Sequence, residues 1–393
     1  MQAVIMCAGN STRTYPLTLT KPKPLLRVAN KTILAHNLEE LQGIVDKAIL
    51  IVGYKKEMIK SEFKDSYKKI KITYVEQEIP NGTGGALLTA KELLEERFIV
   101  LNGDDLFAGA DIKKCLGHRY CLLGKEVENI SQFGEISIKG NLVDKLVEKP
   151  ATQIKGLANT GLYVLDKDIF THTLQKSKRG EFEIVDYIRF LLEKKEDVFF
   201  ERASSWLPIT YPWSLLDAND ALLGKIIPSK KGKVESGATI IGTVQIGKGT
   251  RILAGAYIEG PVIIGDNCKI GPNCYIRANT TIGNYSKIGN AVEVKNSIIG
   301  DNTSIGHLSY VGDSIIGDHV NFGAGTITAN LKHDNANVRS QVKDTIIDTG
   351  RRKLGTVVGD KVHTGIHTSI YPGRKIWPEK MTLPGEIVIK DIV

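Results

Sequence analysis

The second half of the chain places an aliphatic residue at every sixth position over a long stretch. The repeat runs without a break through Val234, Ile240, Ile246, Ile252, Ile258, Ile264, Ile270, Ile276, Ile282, Ile288 and Val294. An α-helix repeats near 3.6 residues and a simple strand at 2, so this period indicates a short extended segment followed by a turn. Stacked repeats bury their aliphatic residues against one another, and the pattern predicts a solenoid of the parallel β-helix kind.

The repeat continues with a shifted phase beyond this stretch. It passes through Ile299, Ile305, Val311, Ile316 and Phe322, and it returns at Val358, Ile370 and Ile376. Glycine often follows the aliphatic residue, as in Ile264-Gly265 and Ile288-Gly289. Because glycine makes a tight corner without a Cβ clash, these pairs indicate the corners of the coils.

The first half has a different pattern, in which short apolar strands alternate with segments of helical spacing. The predicted strands are 3–8, 47–52 and 97–101, and the predicted helices are 33–41 and 85–95. Strands that alternate with helices predict an α/β domain with a mostly parallel sheet and helices on both faces. Ligands of such sheets bind at the carboxyl ends of the strands.

Length and composition limit the classes of protein to consider. A single core stops growing at roughly 250 to 300 residues, so for 393 residues we expect two domains, 1–226 and 227–393, joined near the basic stretch 225–233. No apolar run is long enough to span a membrane, and the first residues lack the basic segment of a signal peptide, so we expect a cytoplasmic protein. The five cysteines show no metal-site spacing and are expected to be reduced thiols.

The net charge of +8 suits phosphorylated small substrates as well as nucleic acid, but no nucleic-acid-binding module is recognisable. The loop after the first strand supplies candidate phosphate ligands. Backbone N–H groups near Gly9, together with Arg13 and Lys23, are the groups that bind a polyphosphate. Taken alone, this loop is explained equally well as a polar surface turn.

Further motifs follow this loop in a characteristic order. They are Gln77 with Asn81–Ala86, Leu101–Asp105, Phe133–Ile136, Val147–Pro150 and Ala158–Gly161. This order resembles the sugar-phosphate nucleotidylyltransferases. With the six-residue repeats, nearly the whole chain resembles the archaeal-type bifunctional N-acetylglucosamine-1-phosphate uridylyltransferase and glucosamine-1-phosphate acetyltransferase family. The resemblance implies a Rossmann-like α/β domain, with a mostly parallel mixed sheet, followed by a left-handed parallel β-helix.

For the first domain, the resemblance implies transfer of a uridylyl or thymidylyl group from UTP or dTTP to a sugar-1-phosphate. By this resemblance, Gly9, Arg13, Lys23, Gln77, Gly82 and Thr83 bind the nucleotide, Gly134, Glu148 and Asn159 bind the sugar, and Asp104 holds Mg²⁺. Arg13 and Lys23 are the expected catalytic cations. An in-line attack on the α-phosphate needs positioning and charge neutralisation rather than a covalent nucleophile.

Two residues depart from the family pattern. Ser11 stands where the family usually has glycine, and serine tolerates a positive φ less well. Ser214 stands where relatives carry Asp or Asn as a second metal ligand, and a hydroxyl binds Mg²⁺ more weakly. Metal binding would then depend on Asp104 and substrate phosphates, with Asp105 or Asp217 as further candidates, and slow or absent nucleotidyl transfer is an open alternative.

For the second domain, the resemblance implies N-acetylation of glucosamine-1-phosphate by acetyl-CoA. His307 is the implied general base, Arg277 and Lys295 hold the phosphate, Tyr310, Asn321 and Asn330 hold the amino sugar, and a backbone N–H near Ala324 binds acetyl-CoA. A histidine in a coil corner is by itself usually a polar surface residue. The family also implies a homotrimer or higher homo-oligomer with acetyl-CoA between subunits.

Residues 328–357 interrupt the repeat and carry several basic side chains. We expect an irregular excursion on one face, whose charge suits the phosphates of coenzyme A or a neighbouring subunit. An ordinary solvated loop is an almost equal alternative.

Three hypotheses therefore stand. The chain performs both reactions, or it is a nucleotidylyltransferase whose β-helix only assembles subunits, or it is a regulatory relative with two inactive sites. His307 with its neighbours favours the first over the second, and Arg13, Lys23 and Asp104 favour the first two over the third. Ser11 and Ser214 favour the third.

Overall fold

The computed structural model describes residues 1–148 and 154–393, so Lys149 and Pro150 of the fourth motif lie outside the described residues. The chain forms two compact units. The first comprises Met1–Asn10, Pro22–Leu25 and Ile33–Pro208, and the second comprises Ser11–Lys21, Leu26–Thr32 and Ile209–Val393. Packing therefore assigns residues 209–226 to the second unit. The functional boundary between residues 226 and 227 remains a prediction.

Through residue 223, the described strands are β1 (Gln2–Cys7), β2 (Arg27–Val28), β3 (Lys31–Thr32), β4 (Lys47–Val52), β5 (Ser66–Tyr67), β6 (Ile70–Glu76), β7 (Arg97–Asn102), β8 (Asp105–Phe107), β9 (Tyr120–Val127), β10 (Gly134–Lys139), β11 (Leu142–Glu148), β12 (Gly156–Asp166), β13 (Val198–Arg202) and β14 (Trp206–Pro208). The helices are α1 (Ile33–Glu40), α2 (Lys56–Phe63), α3 (Thr83–Thr89), α4 (Gly109–Cys115), α5 (Ile184–Glu193) and α6 (Ser214–Leu223). The helix predicted over 85–95 is shorter than expected, because α3 is followed by a separate 3-10 turn at Lys91–Leu93.

One mixed sheet runs through the first unit, and its described strands follow the order β10-β11-β13-β9-β12-β7-β1-β4-β6-β5. Strands β7, β1, β4 and β6 pair in parallel, as the alternation of strands and helices predicts. The other half departs from the expected mostly parallel sheet, since β12 pairs antiparallel with both β7 and β9. There β10 and β11 are joined by a short turn instead of a crossover helix, and such a connection produces antiparallel neighbours.

The central strand β1 is covered on both faces. Ala3 and Ile5 belong to one buried cluster, together with Leu34 of α1. Val4 points to the opposite face and belongs to a second cluster that includes Ile188 of α5. Burial of both faces explains why this strand is a continuous apolar run in the sequence.

From residue 229 onward the described strands are β15 (Ser229–Lys230), β16 (Lys233–Val234), β17 (Thr239–Ile241), β18 (Val244–Ile246), β19 (Arg251–Ile252), β20 (Tyr257–Glu259), β21 (Val262–Ile264), β22 (Lys269–Ile270), β23 (Tyr275–Ile276), β24 (Thr280–Ile282), β25 (Lys287–Asn290), β26 (Glu293–Lys295), β27 (Ile298–Ile299), β28 (Ser304–His307), β29 (Tyr310–Gly312), β30 (Ile315–Ile316), β31 (Asn321–Phe322), β32 (Ile327–Thr328), β33 (Arg339–Val342), β34 (Thr345–Asp348), β35 (Val357–Val358), β36 (Ser369–Ile370), β37 (Lys375–Ile376) and β38 (Ile387–Val388).

These strands stack into parallel sheets in the orders β15-β18-β21-β24-β27-β30-β35-β37, β16-β19-β22-β25-β28-β31 and β17-β20-β23-β26-β29-β32-β36-β38. As far as β32, each sheet takes every third described strand, which is the arrangement of a parallel β-helix with three strands per coil. The aliphatic residues of the repeat stack in register, for example Ile252 on Ile270 and Ile270 on Ile288. One apolar cluster runs through the coils and includes Val358 and Ile376, so the predicted repeat is confirmed.

The interruption between residues 328 and 357 is more regular than expected. It contains an antiparallel hairpin of β33 and β34, after which the coil resumes at β35, paired with β30. Two of its basic residues are already engaged, since Arg351 forms an ion pair with Asp217 and Lys332 forms one with Asp334.

Within the second unit, the N-terminal segments are held by ion pairs to a ladder of carboxylates. The Oδ1 atom of Asp318 accepts the backbone N–H of Asp301, and Oδ1 of Asp360 accepts that of Asp318, both at 2.8 Å. Lys21 forms ion pairs with Asp318 and Asp360, and Arg27 forms one with Asp301. Ion-pair partners that lie so far apart in the sequence cannot be recognised from the amino-acid sequence of one protein.

The five cysteines are buried free thiols. Burial raises the pKa of the Cys274 thiol to about 12, so this group is a poor nucleophile. Among the described residues, no helix has the length and apolar character needed to cross a membrane.

Candidate active sites

Lys23 and Asp104 meet at the ends of the parallel strands of the first unit. The Nζ atom of Lys23 donates to Oδ2 of Asp104 across 2.8 Å, and Lys23 is 6% exposed. Asp104 reaches this edge because Gly103 packs directly on β1, where an added Cβ would lie 2.5 Å from the sulfur of Cys7. The predicted cation and the predicted metal ligand are therefore neighbours.

Asp104 is the candidate ligand for a divalent cation. The other carboxylates considered are engaged, since Asp105 accepts the indole N–H of Trp206 at 3.3 Å and Asp217 pairs with Arg351. Within residues 1–148 and 154–393, no three His, Cys, Asp or Glu side chains form a metal cluster. Mg²⁺ is often held by one or two carboxylates together with substrate phosphates. Asp104 therefore fits an ion that binds with the nucleotide.

Ser11 adopts the left-handed conformation, with φ 49° and ψ 45°. Its carbonyl oxygen accepts the hydroxyls of Thr14 at 2.7 Å and Thr18 at 2.8 Å. Serine therefore does not prevent a positive φ here, because these two hydrogen bonds support the turn. Arg13 follows as an exposed residue and belongs with Ser11 to the second unit, whereas Gly9 belongs to the first.

Ser214, which stands where the family has a second metal ligand, begins α6 in the second unit. Its hydroxyl accepts the backbone N–H of Tyr211 at 3.2 Å. The Ser214 hydroxyl thus takes part in the turn formed by residues 211–214.

Three of the residues predicted to bind the nucleotide lie in a tightly packed loop. The Nε2 atom of Gln77 donates to the carbonyl of Gly82 at 3.1 Å, and the hydroxyl of Thr83 accepts the N–H of Ile184 at 3.1 Å. Gly82 has a φ of 106°, and an added Cβ would lie 2.4 Å from the carbonyl oxygen of Phe182. Only glycine fits this position, because the loop backbone packs directly against the backbone of Phe182.

The predicted sugar-binding residues lie side by side on three strands. Gly134 of β10 pairs with Glu148 of β11 and with Asn159 of β12. A Cβ at position 134 would lie 3.1 Å from Oε2 of Glu148, so glycine leaves the carboxylate uncrowded. The amide of Asn159 donates to the hydroxyl of Tyr163 at 2.6 Å. The structure brings these three residues together.

Arg179 was not identified from the sequence. Its guanidinium lies 3.3 Å from Glu148 and 2.8 Å from Glu183, and its side chain is 40% exposed. It therefore places a cation beside the predicted sugar-binding carboxylate. The sequence feature that could have identified it is the cluster of basic residues Lys176, Lys178 and Arg179.

His307 ends β28 in the second unit, and its side chain is exposed. Its imidazole has no hydrogen-bond partner in the part of the chain that the structure describes. Its carbonyl accepts the hydroxyl of Ser309 at 2.7 Å and the N–H of Gly325 at 3.2 Å, which fixes the corner. Because β31 stacks on β28, Ala324 lies on the coil next to His307. A free imidazole nitrogen is the group that accepts a proton in general-base chemistry.

Lys295, Tyr310 and Asn330 form one connected cluster. The Nδ2 atom of Asn330 donates to the Tyr310 hydroxyl at 3.1 Å and to Asp313 at 2.5 Å. The ammonium of Lys295 lies 3.5 Å from the same carboxylate. Burial raises the pKa of Tyr310, so its hydroxyl keeps its proton and can donate it in a hydrogen bond.

Arg277 and Asn321 are not hydrogen-bonded to this cluster. Arg277 forms an ion pair with Glu293 at 2.9 Å. It lies one coil from Lys295, because β23 pairs with β26. Asn321 begins β31 on another sheet, and no hydrogen bond between described residues joins its side chain to Tyr310. The structure therefore connects three of the five residues predicted to bind the amino sugar and its phosphate, with Asp313 linking Lys295 to Asn330.

Known proteins resemble both halves of the chain. Residues 2–225 match the nucleotidyl transferase family, and residues 258–383 match the GMPPB C-terminal domain. The chain is 42% identical over 380 residues to the bifunctional protein GlmU of Methanocaldococcus jannaschii, a match that covers 96% of this chain and 92% of the relative. It is 37% identical over 401 residues to a bifunctional sugar-1-phosphate nucleotidylyltransferase/acetyltransferase of Sulfurisphaera tokodaii, covering 100% of this chain and 98% of that relative.

A solved structure is similar in fold to part of the chain. It is a Bacillus anthracis protein assigned as a glucose-1-phosphate thymidylyltransferase, crystallised with sucrose. The two chains share 26% sequence identity with a TM-score of 0.52, and the likeness covers 58% of this chain and 98% of the other.

Proposed function

The chain belongs to the family of bifunctional sugar-1-phosphate nucleotidylyltransferases/acetyltransferases, and we propose that it catalyses both reactions in the synthesis of UDP-N-acetylglucosamine. One reaction acetylates the amine of glucosamine-1-phosphate with acetyl-CoA. The other transfers a uridylyl or thymidylyl group from UTP or dTTP to a sugar-1-phosphate and releases pyrophosphate. The observation that carries this proposal is the coexistence of the Lys23–Asp104 pair and the exposed His307 in one chain. We assign the reactions to domains 1–226 and 227–393, a division supported by the family match that ends at residue 225.

In nucleotidyl transfer, an oxygen of the sugar phosphate attacks the α-phosphate in line, and pyrophosphate leaves. Arg13 and Lys23 neutralise the charge that develops on the leaving phosphates. Gln77, Gly82 and Thr83 contact the base. Asp104 would hold Mg²⁺, and the ion would supply Lewis-acid stabilisation of phosphate charge. Gly134, Glu148 and Asn159 position the sugar, and these are the residues that the sheet places side by side.

In acetyl transfer, the amine nitrogen attacks the thioester carbonyl of acetyl-CoA. The new C–N bond forms, the C–S bond breaks, and His307 takes the amine proton, which can then pass to the departing thiolate. Lys295 and Arg277 bind the phosphate, while Tyr310, Asn321 and Asn330 orient the sugar. A backbone N–H near Ala324, on the coil next to His307, binds acetyl-CoA.

The winding and assembly of the second half also belong to this proposal. We assign a left-handed coil and a homotrimer, with acetyl-CoA bound where subunits meet. Leu308, directly after His307, is 61% exposed, and a neighbouring subunit would cover this apolar side chain. A cytoplasmic location suits five buried free thiols.

A second candidate function is a nucleotidylyltransferase whose β-helix serves only for assembly. The match of residues 258–383 to the GMPPB C-terminal domain favours it. The two functions differ in whether acetyl-CoA is consumed.

A substrate panel on the purified chain tests both functions. With glucosamine-1-phosphate and acetyl-CoA, the bifunctional enzyme releases free coenzyme A, whereas an assembly module releases none. With Mg²⁺, UTP or dTTP and a set of hexose-1-phosphates, either function yields pyrophosphate. Absence of pyrophosphate from every pair would contradict the nucleotidyl assignment.

A further inference from the structure

Asp313 is a buried carboxylate with no role in the reactions described above. It is 3% exposed and follows Gly312 at a corner, with a φ of 51°. The corners one and two coils earlier carry Asn296 and Asn279, also at positive φ. Asparagine and aspartate both tolerate this conformation, so the corner geometry does not require a charge.

Three donors converge on the Asp313 carboxylate. Its Oδ2 accepts the Asn330 amide at 2.5 Å and lies 3.5 Å from the Lys295 ammonium. Its Oδ1 accepts the Asn296 amide at 2.6 Å. A carboxylate only accepts hydrogen bonds, so each of these amides must face it with the NH₂ group.

This orientation determines which hydrogen-bonding atoms of Asn330 and Tyr310 remain available to a ligand. The Nδ2 atom of Asn330 serves both Asp313 and the Tyr310 hydroxyl oxygen, so the Tyr310 proton points elsewhere. The Oδ1 atom of Asn330 has no hydrogen-bond partner among the described residues. Gly312 makes this arrangement possible, because an added Cβ would lie 2.4 Å from the Tyr310 hydroxyl and 2.8 Å from Nδ2 of Asn330.

We propose that Asp313 is a positioning residue that sets the hydrogen-bonding polarity of the amino-sugar site. It holds the Lys295 ammonium in place for phosphate, and it orients Asn330 as an acceptor and Tyr310 as a donor. That combination fits a phosphorylated sugar whose amine or hydroxyl group donates a hydrogen bond to Asn330. The inference deepens the proposed acetyltransferase function and rests on it.

The test compares Asp313→Asn with Asp266→Asn in the full chain. An asparagine at 313 lets the facing amide turn over, so we expect KM for glucosamine-1-phosphate to rise about tenfold or more, as for loss of a charge-assisted hydrogen bond. KM for acetyl-CoA and the pyrophosphate-releasing reaction stay unchanged. Asp266 accepts a backbone N–H from Lys248 at 2.6 Å and serves as the matched control, with all constants unchanged.

Asp313→Ser repeats the test without placing two amides face to face, and we expect the same rise in KM. An unchanged KM in both Asp313 variants overturns the inference. Loss of both enzyme reactions in both variants assigns Asp313 to folding alone and overturns it as well.

If the wild-type chain binds glucosamine-1-phosphate in calorimetry but releases no coenzyme A, the proposed function fails. The inference is then decided by binding, which Asp313→Asn should weaken about tenfold. Equal binding by wild type and variant, or no binding by the wild type, overturns it.

Discussion

Lys23 donates a hydrogen bond to Asp104 across 2.8 Å, so the cation expected to receive a triphosphate is neutralised by the carboxylate expected to bind the metal. Nucleotide phosphates can take over the ammonium and leave Asp104 for a divalent cation. The ion pair thus keeps a largely buried lysine partnered before the substrate arrives.

Replacing either partner should abolish nucleotidyl transfer selectively. We expect Lys23→Met and Asp104→Asn to lower the rate of pyrophosphate release by about 100-fold or more, the range for loss of one preorganised charge contact. Release of coenzyme A by the same preparations should stay within about twofold, which also shows that the chain is folded. Lys47→Met removes a surface ion pair with Glu95 and is the control. Equal losses in both reactions would indicate unfolding instead.

Gly82→Ala should destabilise the loop that is proposed to contact the base. The new Cβ would meet the Phe182 carbonyl at 2.4 Å in a conformation that only glycine adopts readily. Strain and overpacking together should lower the free energy of unfolding by roughly 2 to 4 kcal/mol. Gly140→Ala is the matched control, because Gly140 also has a positive φ but open space around it, and about 1 kcal/mol is expected there. Urea unfolding measures both, and equal effects would show that the contact with Phe182 is unimportant.

Lys375 should give the protein a pH-dependent stability. Burial lowers its pKa to about 8, although Asp391 lies nearby, and its Nζ donates to the Gln341 carbonyl at 2.6 Å. Between this pKa and the value of about 10.4 in the unfolded chain, the unfolded state binds more protons, so stability rises with pH.

The difference between wild type and Lys375→Met isolates this effect from other groups that titrate in the same range. From pH 8 to 10, the unfolding free energy of the wild type should rise relative to that of the variant by about 1 kcal/mol or more. A constant difference across this interval would mean that the lysine is charged in the folded protein.

The repeated coils were predictable because their signal is local. Each aliphatic residue of the period, such as Ile288, stacks on its counterpart one coil away, and every coil requires the same spacing. The parallel half of the first sheet was predictable for the same reason. The antiparallel entry of β12 was not, because periodicity does not reveal strand direction.

The candidate sites were predictable where a motif carries the chemistry. The order of motifs selected Gly134, Glu148 and Asn159 as candidates for one site, and the sheet places them in register. Partners far away in the sequence were missed, as with Arg179 beside Glu148. Asp313 could have been noticed by comparing the corner positions of successive coils, where its neighbours are asparagines.

The decisive measurement for acetyl transfer is the rate of coenzyme A release by wild type, His307→Asn and His319→Asn with glucosamine-1-phosphate and acetyl-CoA. His319 is also an exposed corner histidine, with a φ of 58°, and serves as the matched control. We expect His307→Asn to lower kcat by about 100-fold or more, the contribution of a general base, while His319→Asn and pyrophosphate release stay unchanged. Undiminished coenzyme A release by His307→Asn would contradict the assignment of this imidazole as the base.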